Sequence, residues 1–299
     1  MAQVTNGTFS SSVEEVINAE AIGRIILEIE RQPVLYNQIG WVVDASGMNS
    51  NVYTFPKWAA VTQALTEASG VAETDEVAAQ EQTMTEATAT GVIVANRRAL
   101  GDQTVQDSIP DQMARAIVSN AAEIMEQADK DLFLNITSAT NISSHAGTAL
   151  TGTKLLAGIS TWRALAPTNT NGAIVLGYAQ VADLMESVLA SGSSIYAGMF
   201  GDRQADNLLD GTNQGLVSSN FHGFRVYQTG NLPTTGADTN GCIVSAGDRG
   251  ALGMAVFQGL RHEAQREATR IMTDVVSNTR YGTALVNQAG IVELISLST

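Results

Sequence analysis

One long excursion, within residues 40–100, constrains the fold more than any other stretch of the sequence. An apolar strand, Trp41–Val43, is followed by a second extended piece, Val52–Trp58. Residues 59–81 are then rich in Ala, Thr, Glu and Ser, and an alternating strand returns through Thr83–Val94. Strands with so little to bury cannot form a core alone. The pattern predicts a two-stranded excursion that leaves the body and returns, and such excursions usually serve a partner or a site.

The segment before this excursion has the pattern of an amphipathic helix. Ser12 and Glu15 match a capping box, and Pro33 stops the helical pattern. Between them, apolar residues recur at helical spacing: Ile22, Ile25, Ile26 and Ile29. This stripe fits either a helix that packs on its own domain or a helical arm that docks on a neighbouring subunit.

A second, longer helix is predicted after the excursion. Ser108 can cap it, while Pro110 and Asp111 suit its first turn. Apolar residues then step by three or four along one face: Ile109, Met113, Ile117, Ala121, Ile124, Ala128 and Leu132. Such a helix spans roughly 26 residues, or about 39 Å. This length predicts a structural spine.

The rest of the chain mixes helices and strands without regular alternation. A short helix is predicted at Leu155–Leu165, and a strand at Ala173–Leu176 leads into a helix that carries Tyr178, Val181, Met185, Val188 and Leu189. Further strands are predicted at 223–228, 241–245, 251–257 and 290–295, with a solvated charged segment at 261–270. The order indicates an α+β fold rather than a doubly wound α/β fold.

The charge balance argues against a nucleic-acid-binding protein of the usual kind. The formal net charge is −14, with 16 basic and 30 acidic side chains. Such proteins gain affinity by neutralising phosphates with clustered Lys and Arg. The densest basic positions here are Arg97–Arg98 and the series Arg261, Arg266 and Arg270.

The cysteine content and the hydropathy of the chain indicate the cellular compartment in which we expect the protein. The single Cys242 cannot form an internal disulfide. The N-terminus lacks the basic and apolar regions of a secretory signal, and no run of about 18 apolar residues occurs. We expect an intracellular, soluble protein without contact to a membrane.

Several segments resemble enzyme motifs, but none of them matches the full motif. Gly147–Lys154 resembles a phosphate-binding loop, but its Lys follows Thr153 instead of the second Gly. His262-Glu263 begins like a zinc-protease helix, but Arg266 stands where the second His is needed. Cys242 lies in a predicted strand, where an inert buried thiol is the commoner state. We expect no enzyme, no cofactor and no metal site.

The order of the elements resembles that of the major capsid proteins of tailed bacteriophages, which have the Hong Kong 97-like fold. A polar arm comes first, then a long hairpin, a long spine helix, a mixed region and a last group of strands. The resemblance covers nearly the whole chain. The segments that carry it are Tyr53–Lys57, Gly91–Asn96, Ser108–Phe133, Asn220–Tyr227, Asn231–Pro233, Tyr281–Gly282 and Gly290–Val292.

The resemblance implies a division of the chain into capsid domains. Residues 1–33 would be the N-terminal arm, and 34–107 the E-loop hairpin with its flanking strands. Residues 108–171 would form the peripheral domain with the spine helix, and 172–270 the axial domain. Residues 271–299 would return to the peripheral domain.

The implied function is structural. The chain would self-assemble into hexamers and pentamers of an icosahedral shell that encloses double-stranded DNA without sequence-specific binding. Its partners would be copies of itself, a separate scaffolding protein, the portal and decoration proteins. The protein would be part of the virion capsid, assembled in the host cytoplasm.

The same resemblance implies inter-subunit contacts from the arm, the hairpin and the following strand. The candidates are Ile22, Ile26, Phe55, Lys57, Trp58, Arg97 and Arg98. Some family members join subunits through a Lys–Asn isopeptide bond, for which Lys57 lies near the base of the hairpin with no assignable partner. An alternative with the same fold is an encapsulin-type nanocompartment shell that houses an enzyme cargo.

Overall fold

The computed structural model describes residues 33–58, 84–102, 112–165, 171–191, 216–267 and 269–297. The helix predicted from the Ile22–Ile29 stripe lies outside these residues. The helices are α1 (Tyr36–Ile39), α2 (Gln112–Leu134), α3 (Gly152–Leu165) and α4 (Tyr178–Ser191). The first strands are β1 (Trp41–Asp44), β2 (Val52–Trp58), β3 (Met84–Thr90), β4 (Val92–Gly101), β5 (Ile142–His145) and β6 (Gly172–Leu176). The later strands are β7 (Leu216–Phe221), β8 (Phe224–Gln228), β9 (Thr234–Thr235), β10 (Asp238–Ser245), β11 (Leu252–Glu267), β12 (Met272–Leu285) and β13 (Ile291–Leu297).

A four-stranded sheet in the order β1-β11-β12-β4 supports the long helix α2. Strands β11, β12 and β4 are antiparallel, while β1 runs parallel to the first part of β11. Helix α2 lies across β12 and β4 and contacts β11. Its buried apolar residues Ala128, Leu132 and Phe133 share one core with residues of both large sheets.

A second sheet of seven strands has the order β5-β13-β10-β6-β8-β7, with β9 paired to β10. Helices α3 and α4 contribute Leu155, Ile159, Trp162 and Leu184 to a core on one of its faces. The strand β6 is buried at every position, which explains its continuous apolar sequence. The other face of this sheet joins the core that contains α2.

A third, two-stranded sheet is the hairpin β2–β3, in which Val52 pairs with Thr90 and Trp58 with Met84. The predicted extended piece and the returning strand are therefore confirmed. The strand β4 continues from the hairpin for ten residues along β12, which is longer than the Val92–Val94 piece that the sequence indicated.

The segment 261–270 differs from its prediction. The sequence predicts a solvated charged segment, but β11 continues through Glu267 because each residue from Arg261 to Glu267 pairs with β12. Most of its side chains are exposed, as the charges require. The pairing with β12, whose residues follow five to seventeen positions later in the chain, decides the secondary structure here.

The predicted domain boundaries do not follow the two large sheets. Strand β11 lies within 172–270 but pairs with β12 in the four-stranded sheet, and β5 lies within 108–171 but belongs to the seven-stranded sheet. Strand β13, from the segment 271–299, lies between β5 and β10 in the seven-stranded sheet. Each large sheet is therefore built from several separate stretches of the chain, so a division into contiguous segments cannot match the sheets.

Candidate subunit interface

The base of the β2–β3 hairpin is anchored in the core of its own subunit. Phe55 is fully buried, and its ring packs edge-on against Trp41 and Tyr53 with centroids 5.0 and 4.8 Å away. Ala89 on the facing strand is also fully buried. The Phe55 ring therefore stabilises the seat of the hairpin within its own subunit, and its part in a contact between subunits stays a prediction.

Two glycines let the hairpin approach the four-stranded sheet closely. A Cβ on Gly282 of β12 would lie 2.5 Å from the carbonyl oxygen of Thr90. A Cβ on Gly91 would lie 2.7 Å from the ring of Phe257. Because real Cβ atoms do not approach other atoms so closely, a larger side chain at either place would push the hairpin from its seat.

Beyond this seat the hairpin is exposed. Most of β3 faces solvent, with Ala89 the buried position and Met84, at the end farthest from the seat, 57% exposed. Lys57 Nζ donates a 2.5 Å hydrogen bond to Asn287 Oδ1, which ties β2 to the turn before β13. Trp58 is the last residue of β2 and pairs with Met84; its side chain lies outside the described part.

The two candidate arginines of β4 point to opposite faces of the sheet and already have partners in their own chain. Arg97 forms a 2.6 Å ion pair with Asp274 and remains 53% exposed. Arg98 donates to Asn120 at 2.9 Å and pairs with Glu123 of α2 at 2.5 Å. Both side chains therefore brace the four-stranded sheet, one on each face. Ile22 and Ile26 lie outside the described residues.

The outer half of β11 has a free edge among the described strands. Strand β1 pairs only with Gly253–Val256, so residues 258–267 are bonded to β12 on one side. Arg266 donates to Asp102 at 2.5 Å and Arg270 pairs with Glu267. An exposed strand edge with charged side chains resists unspecific pairing but leaves backbone groups open to another chain.

The long helix buries polar residues that the sequence analysis did not single out. Buried positions are Ala116, Asn120, Ile124, Ala128 and Leu132, together with Asp129 and Phe133. The predicted stripe is confirmed from Ile124 onward, but Met113, Ile117 and Ala121 are only half-buried. Towards the N-terminus the buried face instead contains Asn120, whose amide donates to the carbonyl oxygen of Val275 at 3.2 Å. The hydrogen bonds of Asn120 to β4 and β12 therefore determine which face of α2 is buried near its N-terminus.

Asp129 is the most deeply buried of the acidic residues of this helix. Its carboxylate accepts hydrogen bonds from the Leu35 backbone N–H at 3.0 Å and from Asn231 Nδ2 at 2.9 Å. Desolvation by burial raises the pKa of Asp129 to about 6, against the opposing effect of these hydrogen bonds. One feature of the sequence could have indicated this buried acid: Asp129 directly follows Ala128, a member of the apolar stripe.

The near-matches to enzyme motifs have structural explanations. Lys154 donates to Thr148 Oγ1 at 2.7 Å and to the carbonyl oxygen of Ala149 at 2.6 Å, so it closes a local turn. His262 lies in β11 and bonds to Ser277 Oγ at 2.8 Å. Cys242 is fully buried in β10, and burial raises the pKa of its thiol. Within the described ranges, no cluster of three or more His, Cys, Asp or Glu could hold a metal ion.

A membrane-spanning helix needs about 20 consecutive, mostly apolar residues. In the part of the chain that the structure describes, no helix is long and apolar enough to cross a bilayer. The longest described helix, α2, has 23 residues and carries charged side chains at Arg115 and within Glu123–Asp131.

Comparisons with known proteins give similarity in structure and not in sequence. No protein-family model matches the chain, and no curated protein matches it. The capsid of the cyanophage P-SCSP1u aligns with a TM-score of 0.67 at 13% identity, covering 93% of this chain and 92% of that one. The capsid of the Myoviridae phage XM1 aligns with a TM-score of 0.66 at 14% identity, covering 94% and 97%.

A third structure extends the likeness to the whole length of the chain. The capsid of the Helicobacter pylori bacteriophage KHP30 aligns with a TM-score of 0.63 at 12% identity, covering 99% of this chain and 100% of that one. At such identities the likeness shows the fold. The chain has the α+β, Hong Kong 97-like fold of tailed-phage capsid proteins, as the order of its elements predicted.

Proposed function

We propose that this chain is a structural major capsid protein of a tailed phage that assembles into a closed icosahedral shell. The observation that carries the proposal is the match to phage capsids over 93%, 94% and 99% of this chain, which is more than a shared core domain. Because a fold alone does not fix a function, the way in which subunits assemble is argued from the surfaces of the subunit itself.

The hairpin is the element through which we expect one subunit to hold the next. Its base is anchored, because Phe55 and Ala89 are buried, and nearer its far end Lys57 is bonded to Asn287 of the same subunit. Its far end is exposed on β3. An anchored seat with an exposed end lets the hairpin lie over a neighbouring subunit without losing its own fold, and the contact buries surface that one chain cannot cover.

The domains of the proposed shell protein follow the sheets. The four-stranded sheet with α2 would be the peripheral domain, with β2–β3 and residues 59–83 as the E-loop. The seven-stranded sheet with α3 and α4 would be the axial domain, around which hexamers and pentamers form. Residues 1–33 would be the N-terminal arm, and Arg97 and Arg98 would act by keeping the strand β4 in place.

The proposed content of the shell is double-stranded DNA, enclosed without sequence-specific binding. A net charge of −14 gives the chain as a whole no electrostatic affinity for phosphates. Such a subunit would let packaged DNA move instead of holding it. A separate scaffolding protein, a portal and decoration proteins would complete the assembly in the host cytoplasm.

Negative-stain electron microscopy of the chain expressed alone, with sedimentation velocity, tests the proposal. Closed shells of tens of nanometres, or rings of five and six subunits that close when scaffolding protein is added, are the expected products. A discrete dimer or tetramer that never forms rings would contradict it. Nuclease-protected absorbance at 260 nm in particles from phage-producing cells separates a DNA capsid from an encapsulin-type compartment, which would contain protein cargo.

A further inference from the structure

The outward face of α2 carries apolar side chains that are exposed in this structure. Val118 is 65% and Met125 is 41% exposed, and Ala122 between them is half-exposed. Their spacing of four and three residues places them on one side of the helix, along two turns. A surface helix normally has polar residues on its outward face. This stripe, Val118–Ala122–Met125, is therefore a candidate contact surface.

The same side of α2 leads directly to the point where the chain enters the fold. Asp129 follows Met125 by one turn on this side, and the backbone of Leu35 covers it through the 3.0 Å hydrogen bond to its carboxylate. The cover continues past Asp129, because Leu132 approaches Gly40 closely. The segment from Pro33 to Gly40 thus covers the helix from Asp129 onward, and the exposed stripe begins where that cover ends.

The sequence before Pro33 has the pattern that would continue this cover. Ile22 and Ile29 are seven residues apart, as are Val118 and Met125, and both pairs span about 10.5 Å of helix. Ile25 and Ile26 fill the position opposite Ala122, the smallest residue of the stripe. Ile29 is six residues from Leu35, whose N–H is bonded to Asp129. Asp129 lies four residues, about 6 Å along the helix, beyond Met125, so the connection is long enough.

We propose that residues 22–29 form a helix that docks on Val118, Ala122 and Met125 of the same subunit, parallel to α2, with Ile22 beside Val118 and Ile29 beside Met125. The tether through Pro33 selects the same subunit, because so short a linker gives a millimolar effective concentration at the stripe. The Ile22–Ile29 stripe fits either packing on its own domain or docking on a neighbouring subunit, and this proposal selects the first. It does not depend on the chain forming a shell.

Cysteine cross-linking tests the register and the identity of the partner subunit. The variant Ile29→Cys/Met125→Cys should form a disulfide in most chains under mild oxidation, and the natural Cys242 is fully buried and does not compete. The control Ile29→Cys/Gln127→Cys places the second thiol on an exposed position across the helix and should cross-link at least ten-fold less. Equal yields in the two variants, or none in either, would overturn the proposal.

Isotope mixing separates docking within one subunit from docking on a neighbour. Chains with ¹⁵N and chains with ¹⁴N are combined before oxidation, and the disulfide-linked peptides are read by mass spectrometry. Docking in the same subunit gives only light–light and heavy–heavy pairs. Mixed pairs at about half of the total would mean that the arm crosses to another subunit, which contradicts the proposal.

Hydrogen exchange gives a second reading that does not depend on disulfide geometry. Val118→Asp/Met125→Asp changes only exposed side chains, so the subunit should still fold. Amide exchange of residues 22–29 should be at least ten-fold faster in this variant than in the unchanged chain. The control Ile142→Asp, at a 52% exposed position on β5, should leave it unchanged. Equal exchange in all three proteins would overturn the proposal.

Discussion

The side-chain amide of Asn231 donates a 2.9 Å hydrogen bond to the Asp129 carboxylate, and this contact joins the long helix to the loop after β8. The same carboxylate also holds the backbone of Leu35 at 3.0 Å. One buried acid therefore connects three parts of the chain: the segment that enters the fold, helix α2 and the seven-stranded sheet. We regard Asp129 as the central polar contact of the subunit.

Removing this carboxylate should destabilise the folded subunit strongly. Asp129→Ala leaves the Leu35 N–H and the Asn231 amide buried without their partner, which costs about 2–4 kcal/mol in the free energy of unfolding. Urea unfolding of the unassembled chain measures it. Gln127→Ala, on an exposed position of the same helix, is the control and should cost less than about 0.5 kcal/mol. Similar losses in both variants would contradict the role of Asp129.

The raised pKa of Asp129 gives a pH dependence with a definite sign. Its pKa is about 6 in the folded chain and 3.8 for an Asp side chain in the unfolded chain, so the folded state binds the proton more tightly than the unfolded state. The corresponding stability is fully present below pH 3.8 and is lost as the pH rises through 6. Relative to Asp129→Asn, which cannot titrate, the unchanged chain should gain about 2 kcal/mol between pH 7.5 and pH 4. Parallel urea-unfolding profiles of the two proteins would exclude this assignment.

Local patterns predicted much of this fold. The bounds of β2 were predicted at Val52–Trp58 as they occur, and α3 begins three residues before the predicted Leu155. The Ala173–Leu176 strand and the following helix were predicted because both use short-range periodicity. The first helical residue after that strand, Tyr178, is however 45% exposed and does not lie on the buried face with Val181.

The features that could not be predicted depend on distant partners. The charged half of β11 is a strand because β12 pairs with it, and no local propensity of Arg261–Glu267 indicates this. Asn120 is buried because Arg98 and Val275 supply its hydrogen bonds from two strands. The burial of Phe55 was not predictable either, because its packing on Trp41 and Tyr53 is not recognisable from the spacing of these residues.

The seat of the hairpin should depend on the Phe55 ring. Phe55→Ala removes a fully buried side chain that packs on Trp41 and Tyr53, and the cavity should cost about 3–5 kcal/mol in the free energy of unfolding. Met84→Ala, at a 57% exposed position of the same hairpin, is the matched control and should cost less than about 1 kcal/mol. Thermal unfolding of both unassembled proteins makes the comparison. A Phe55→Ala variant as stable as Met84→Ala would mean that the hairpin is not anchored through this ring.

The close approach of the hairpin to β12 requires a residue without a side chain at Gly282. In Gly282→Ala the new Cβ would lie 2.5 Å from the Thr90 carbonyl oxygen, a backbone atom that cannot rotate away, so β3 must move. We expect a loss of about 1–3 kcal/mol in stability and faster amide exchange along β3, because the displaced strand loses its contacts with the sheet. Gly259→Ala is the control, since the same addition in β11 meets no atom within 4 Å and should be neutral or slightly stabilising. If both alanine variants unfold at the same urea concentration, the hairpin tolerates a larger separation from the sheet than the structure shows.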